Sequence, residues 1–108
     1  MLDHRTTLIA KQCGIMDKIA ALYNDLSEIH FVTDVEFDLS NYSEIQQVIF
    51  LLKYDIHPAR SDYWAARSYV INAAKETADR YWLCLTGDSI EDYGEHFYFV
   101  FSARNWKL

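Results

Sequence analysis

Thr33-Asp34-Val35-Glu36-Phe37-Asp38-Leu39 alternates acidic and apolar side chains without a break after its first residue. A β-strand has a side-chain period of two. Asp34, Glu36 and Asp38 therefore fall on one face, and Val35, Phe37 and Leu39 on the other. The stretch predicts a strand over 30–39, with its back in a core and a row of negative charge facing water. Ser40-Asn41-Tyr42-Ser43 breaks it.

Upstream, the pattern is helical. Leu8, Ile15, Ile19, Leu22, Leu26 and Ile29 recur at spacings of three, four or seven, with Gln12 completing the stripe. One helix is expected over 6–29, with Gly14 as an interior residue that costs about 1 kcal/mol relative to Ala. The stripe either lies on the chain's own sheet or serves as a helix–helix seam for a homodimer.

Downstream, Asn41 and Glu44 have the spacing of a capping box, in which two side chains satisfy otherwise orphaned backbone donors. A helix is expected over 42–54. Its run Val48-Ile49-Phe50-Leu51-Leu52 is apolar on nearly every side, so periodicity alone fits a buried helix or a buried strand. The cap favours the helix. Pro58 ends that element, because the residue before proline avoids helical geometry.

A further helix runs from Ser61 or Asp62 to Tyr81, with Tyr63, Val70, Ala74, Thr77 and Tyr81 on its buried side. A hairpin closes the chain. Its arms are 82–86 and 96–102; Gly87-Asp88 opens the connection and Tyr93-Gly94 closes it. Phe97, Phe99 and Phe101 share one face of the second arm. The element order α-β-α-α-β-β describes an α+β fold: a small antiparallel sheet of about three strands packed with about three helices, in one domain over 1–108.

Charge is distributed unevenly. Residues 25–44 hold six carboxylates and no Lys or Arg; Asp88, Glu91, Asp92 and Glu95 form a second acidic block. Together the blocks carry −10, so with a net charge of −6 the remainder of the chain carries +4. Direct nucleic-acid binding needs clustered cations, and neither block supplies them. A basic protein is the matching partner. Tyr93, flanked by Glu91, Asp92 and Glu95, adds an aromatic contact to that surface. The expected partner-binding residues are Asp34, Glu36, Asp38, Asp88, Glu91, Asp92, Tyr93 and Glu95.

Catalytic signatures are missing. The chain has no Walker lysine loop, no GxGxxG and no GxSxG, and three glycines leave little to build a phosphate cradle. His4, His30, His57 and His96 make no ligand-spaced pair. Three carboxylates at strand spacing sit too far apart to share one cation. Neither a metal nor another cofactor is expected, nor an enzyme. Cys13 and Cys84 fit no metal or redox motif and read as free thiols in a reducing cytoplasm. The first residues lack the basic start and apolar run of a signal peptide, and no apolar stretch approaches spanning length.

These features describe a non-catalytic acidic protein that inhibits or neutralises a basic partner, most naturally one that handles nucleic acid, such as a nuclease toxin or a defence effector. Immunity proteins and phage-encoded inhibitors are often built this way, which is a likeness of class carried by no motif. The alternative readings are a self-associating structural or regulatory subunit that uses the N-terminal seam, and a small metal-binding protein.

Overall fold

The alternating acidic stretch forms strand β1 (Val32–Asp38), the edge of a four-stranded antiparallel sheet. The computed structural model describes residues 2–103 and Trp106, and for residues 84–89 it describes the backbone alone. Within these residues the chain runs α1 (His4–Gln12), α2 (Met16–Ser27), β1, α3 (Tyr42–Ile45), β2 (Gln47–Tyr54), α4 (Tyr63–Arg80), β3 (Cys84–Asp92) and β4 (His96–Ser102). The sheet order is β1-β2-β4-β3. The fold is α+β, with one strand and one helix more than the sequence pattern predicts.

The extra helix comes from Gly14. The predicted helix over 6–29 is two helices, because Gly14 adopts φ +72° and turns the chain. Ile15 N–H donates to Ala10 O and Gly14 N–H to Lys11 O, at 2.9 and 3.2 Å. These are the paired bonds of a Schellman motif, in which a left-handed residue closes a helix and satisfies its last carbonyls. Asp3 caps the other end of α1, its carboxylate accepting from Thr6 N–H at 2.7 Å.

The extra strand comes from residues 47–54. The predicted helix over 42–54 lasts only from Tyr42 to Ile45; Asn41 makes no side-chain cap bond, and Gln46 (φ +50°) ends it. Val48–Leu52 then belong to β2, which pairs with β1 on one side and β4 on the other. A strand inside a sheet meets neighbours along both edges and packs on at least one face. A β-branched and aromatic run suits that setting better than a helix. The hairpin differs as well: β3 continues through Gly87-Asp88, with a register shift between Leu85 and Ile90, and the reversal lies at residues 93–95.

The core lies on one side of the sheet. Val35 and Phe37 from β1, Val48, Phe50 and Leu52 from β2, and Phe97, Phe99 and Phe101 from β4 pack with Ile19, Leu22 and Leu26 of α2 and with Val70, Ala74 and Ala78 of α4. Phe50 stacks on Phe99 and Phe101, with ring centroids 5.0 and 5.4 Å apart. The small side chains of α4 let that helix approach the aromatic layer closely. The Thr6 hydroxyl donates to Phe37 O at 3.2 Å and ties α1 to the outer edge of β1. Ile15, Ile19, Leu22, Leu26 and Ile29 of the expected helix–helix seam are buried in this core, whereas Leu8, at its start, is exposed.

Candidate functional site

Residues directly opposite one another in an antiparallel pair share a face. Glu36 lies opposite Leu51, Leu51 opposite Tyr98, and Tyr98 opposite Glu91. One row therefore crosses the sheet as acid, aliphatic, aromatic, acid. A second row runs from Asp38 through Ile49 to Val100, and a third from Asp34 through Lys53 to His96. None of these side chains belongs to the core. Ile49 is buried but stands outside the core cluster, and Leu51, Tyr98 and Val100 are half-buried. Alternation along β4, with Phe97, Phe99 and Phe101 buried and their neighbours half-exposed, marks the same division. Among the described residues, the helices contributing to the core lie behind the sheet, and this front face is open.

The open face has an apolar centre on β2 and β4 and carboxylates on its outer strands. Asp34, Glu36 and Asp38 line β1, and Glu91 lies on β3. The described cations on it are Lys53 and, when protonated, His96, and Arg5 of α1 lines a cleft with Asp38 at the edge of the face. Lys53 Nζ reaches Glu36 Oε1 at 3.2 Å, an exposed pair worth at most about 1 kcal/mol. Asp38 accepts from the Ser40 N–H at 3.0 Å and the Ser40 hydroxyl at 2.7 Å. Those bonds, the hydroxyl first, hold its carboxyl below the ordinary carboxylate value, so it stays charged into mild acid. Tyr93 stacks on His96 at 4.9 Å and meets Tyr98 edge-on at 6.4 Å, with its hydroxyl donating to Glu91. It extends the aromatic part of the face to the hairpin turn.

Asp92 points the other way. It lies opposite Phe97, on the covered side, and pairs with Arg67 of α4. Arg67 is only 7% exposed. Its Nε donates to the Tyr54 hydroxyl at 3.1 Å, and that hydroxyl donates to Gly94 O at 2.8 Å. Its guanidinium lies 5.0–5.8 Å from the ring centres of Tyr54, Tyr63, Trp64 and Phe97. Burial pushes the Asp92 carboxyl up, but the Gly94 N–H (2.9 Å) and Arg67 outweigh it and hold the carboxyl below its ordinary value. The network fastens the β3–β4 turn to α4. Asp92 is thus a structural acid engaged by the chain's own arginine.

The remaining expected residues divide accordingly. Asp34, Glu36, Asp38, Glu91 and Tyr93 come together on the open face. Glu95 is exposed in the turn. The Asp88 and Cys84 side chains lie outside the described residues; Cys13 is a free thiol.

Three comparisons were made, with protein-family models, curated proteins and solved structures. The chain matches none of them.

A third group of acids escaped the sequence pattern. Asp25 and Glu28 of the first block face Glu76 and Asp79 of α4 across an open groove of about 500 Å³, with Arg80, Tyr69 and Ile29 in its walls. Tyr81 donates to Asp25 at 2.5 Å. No short-range signal could have joined residues about fifty apart; packing of α2 on α4 does so. The groove has Arg80 among its acids and lacks the continuous apolar centre of the sheet face.

Nothing among the described residues groups three His, Cys, Asp or Glu side chains as a metal site. His57 Nδ1 accepts from Ala59 N–H, and His30 and His96 lie against Phe31 and Tyr93. No described helix is long and apolar enough to cross a membrane.

Proposed function

We propose that this chain is a non-catalytic binding protein that docks a basic protein partner on the open face of its sheet and neutralises it. The observation that carries the reading is the row Glu36–Leu51–Tyr98–Glu91: an apolar centre bounded by acid on both sides. Protein interfaces are commonly built this way, with apolar and aromatic side chains supplying buried area at the centre and charge at the rim steering the encounter. Four carboxylates against Lys53, with Arg5 beside Asp38, leave the face net acidic and favour a cationic surface. They also repel a nucleic-acid backbone.

A partner that handles nucleic acid is the natural class, a nuclease toxin or a defence effector among them. Its phosphate-binding groove is already cationic, and carboxylates on a rigid sheet can stand where phosphates would. The protein acts by occupying that groove, so no covalent step is needed.

The test compares wild type with the variant Asp34→Asn, Glu36→Gln, Asp38→Asn. The partner is first captured from the native host with the wild-type protein and identified. Association rates are then measured for both proteins across a series of salt concentrations. Removing three carboxylates is expected to slow association by roughly tenfold or more at low salt and to flatten its salt dependence, because steering scales with charge. Unchanged kinetics would remove β1 from the docking surface.

A further inference from the structure

We infer that the element received by the open face is an amphipathic α-helix, apolar along one stripe and carrying Lys or Arg on both flanks. The inference rests on the docking reading above and specifies the shape of the partner.

Width is the first argument. Glu36 on β1 and Glu91 on β3 are separated by three interstrand steps, about 14 Å. The apolar centre occupies the two strands between them. A helix with its side chains is about 10–12 Å across, so one lying over β2 and β4 places its flanks above the two acidic rims. Long basic side chains can cover apolar surface with their stems while their charged ends reach the carboxylates. An extended peptide on the same face presents a single row of side chains to the sheet, because alternate residues point away. That row can fill the centre or meet a rim, but it cannot meet both rims together.

Length agrees. Strands of the size of β2 and β4 extend about 23–27 Å, which a helix of about 16 residues matches. The reverse of the same sheet provides an internal precedent. There α2 and α4 lay apolar stripes over the strands, through Ile19 and Leu22 and through Val70, Ala74 and Ala78. A partner helix on the front would complete a sandwich with helices on both faces. What distinguishes the front is its rims, which call for cations along both flanks, whereas on the covered side one cation of α4, Arg67, meets Asp92 at the end of β3.

The test uses two synthetic peptides of about 16 residues with identical Leu and Lys content. One orders Leu at helical period; the other alternates Leu and Lys at strand period. Each is titrated into the full-length protein at physiological salt, followed by circular dichroism and methyl NMR. The helical-period peptide is expected to bind at least about tenfold more tightly and to gain helix on binding. It should perturb the methyl signals of Leu51 and Val100 and leave those of Val48 and Leu52 unmoved. Leu51→Thr with Val100→Thr should erase that preference, and Glu36→Gln with Glu91→Gln, which leaves the apolar centre intact, should weaken binding as well. Equal affinity of the two peptides at the open face overturns the helical inference while the basic-partner reading stands. Absence of binding, or perturbation confined to the groove between α2 and α4, overturns both.

Discussion

Phe50 and Leu51 are adjacent in β2 and belong to two different regimes. Phe50 is fully buried and stacks within the aromatic layer under α2 and α4; Leu51 is half-buried on a face that no described helix covers. The same comparison extends to the acids. Asp92 turns to the covered side and is held by Arg67, while Glu91, one residue earlier, turns to the open side. One face of the sheet is committed to folding. The other carries an apolar centre between acidic rims and contributes nothing to the core cluster.

Deepest in the covered face, Phe50→Ala should cost about 3–5 kcal/mol, because deletion of a packed ring leaves a cavity. Leu51→Ala, one residue away, should cost less, about 1–2 kcal/mol, since that side chain is only partly buried and stands outside the core cluster. Urea denaturation of the two variants measures the contrast, and equal losses would erase the distinction between the faces.

Arg67→Ala should rank next, at about 2–3 kcal/mol, through lost hydrogen bonds to Tyr54 and Asp92 and lost packing among the rings. The full penalty of an orphaned buried charge does not apply, because 47% of the Asp92 side chain is exposed. The pair also gives a pH signature. The carboxyl of Asp92 is depressed in the folded state, so its contribution is present above the unfolded value of about 3.9 and is lost as pH falls through the lower folded value. Asp92→Asn should therefore shallow the loss of stability below about pH 4 and leave its slope near neutrality unchanged. Denaturation curves at neutral and acidic pH check the sign.

Smaller effects are expected at two helix ends that share one geometry. Gly14 and Trp82 both follow a helix in left-handed conformation, at φ +72° and φ +58°. Gly14→Ala should cost about 1 kcal/mol from the backbone alone, since an added Cβ meets nothing within 4 Å. Trp82→Gly relieves a strain of the same size, about 1 kcal/mol, and loses the contact with Lys18, whose ammonium lies 5.6 Å from the Trp82 ring centre. Its net change should stay within about 1 kcal/mol of zero. Thermal unfolding of both variants compares the two caps.

Those helix ends also explain what could be read from the chain. Gly14 carried a visible signal, since glycine after a helical stripe is the usual stop, but the regular spacing of Leu8 through Ile29 masked it. Trp82 closes α4 through the same pair of bonds, Trp82 N–H to Asp79 O and Leu83 N–H to Ala78 O, and no residue preference announces it. The alternating acids of β1 and the alternating phenylalanines of β4 were legible because period two is a local property. Val48–Leu52 were not, because an all-apolar run reports burial without reporting its period. The candidate site was legible in part. Asp34, Glu36 and Asp38 sharing a face follows from spacing, whereas Glu91 joining them and Asp92 leaving them depend on strand order. The Arg67–Asp92 pair spans 25 residues and exists only because α4 packs beneath the hairpin.

The most direct test of the account is a methyl-resolved solvent-accessibility measurement, made by NMR with a soluble paramagnetic probe, on the free protein and on its complex with the captured partner. The account predicts that Leu51 and Val100 become shielded on binding, while Val48 and Leu52 are shielded throughout and Ile29, in the groove between α2 and α4, does not change. If Leu51 and Val100 remain as accessible in the complex as in the free protein, the open face is not where the partner docks.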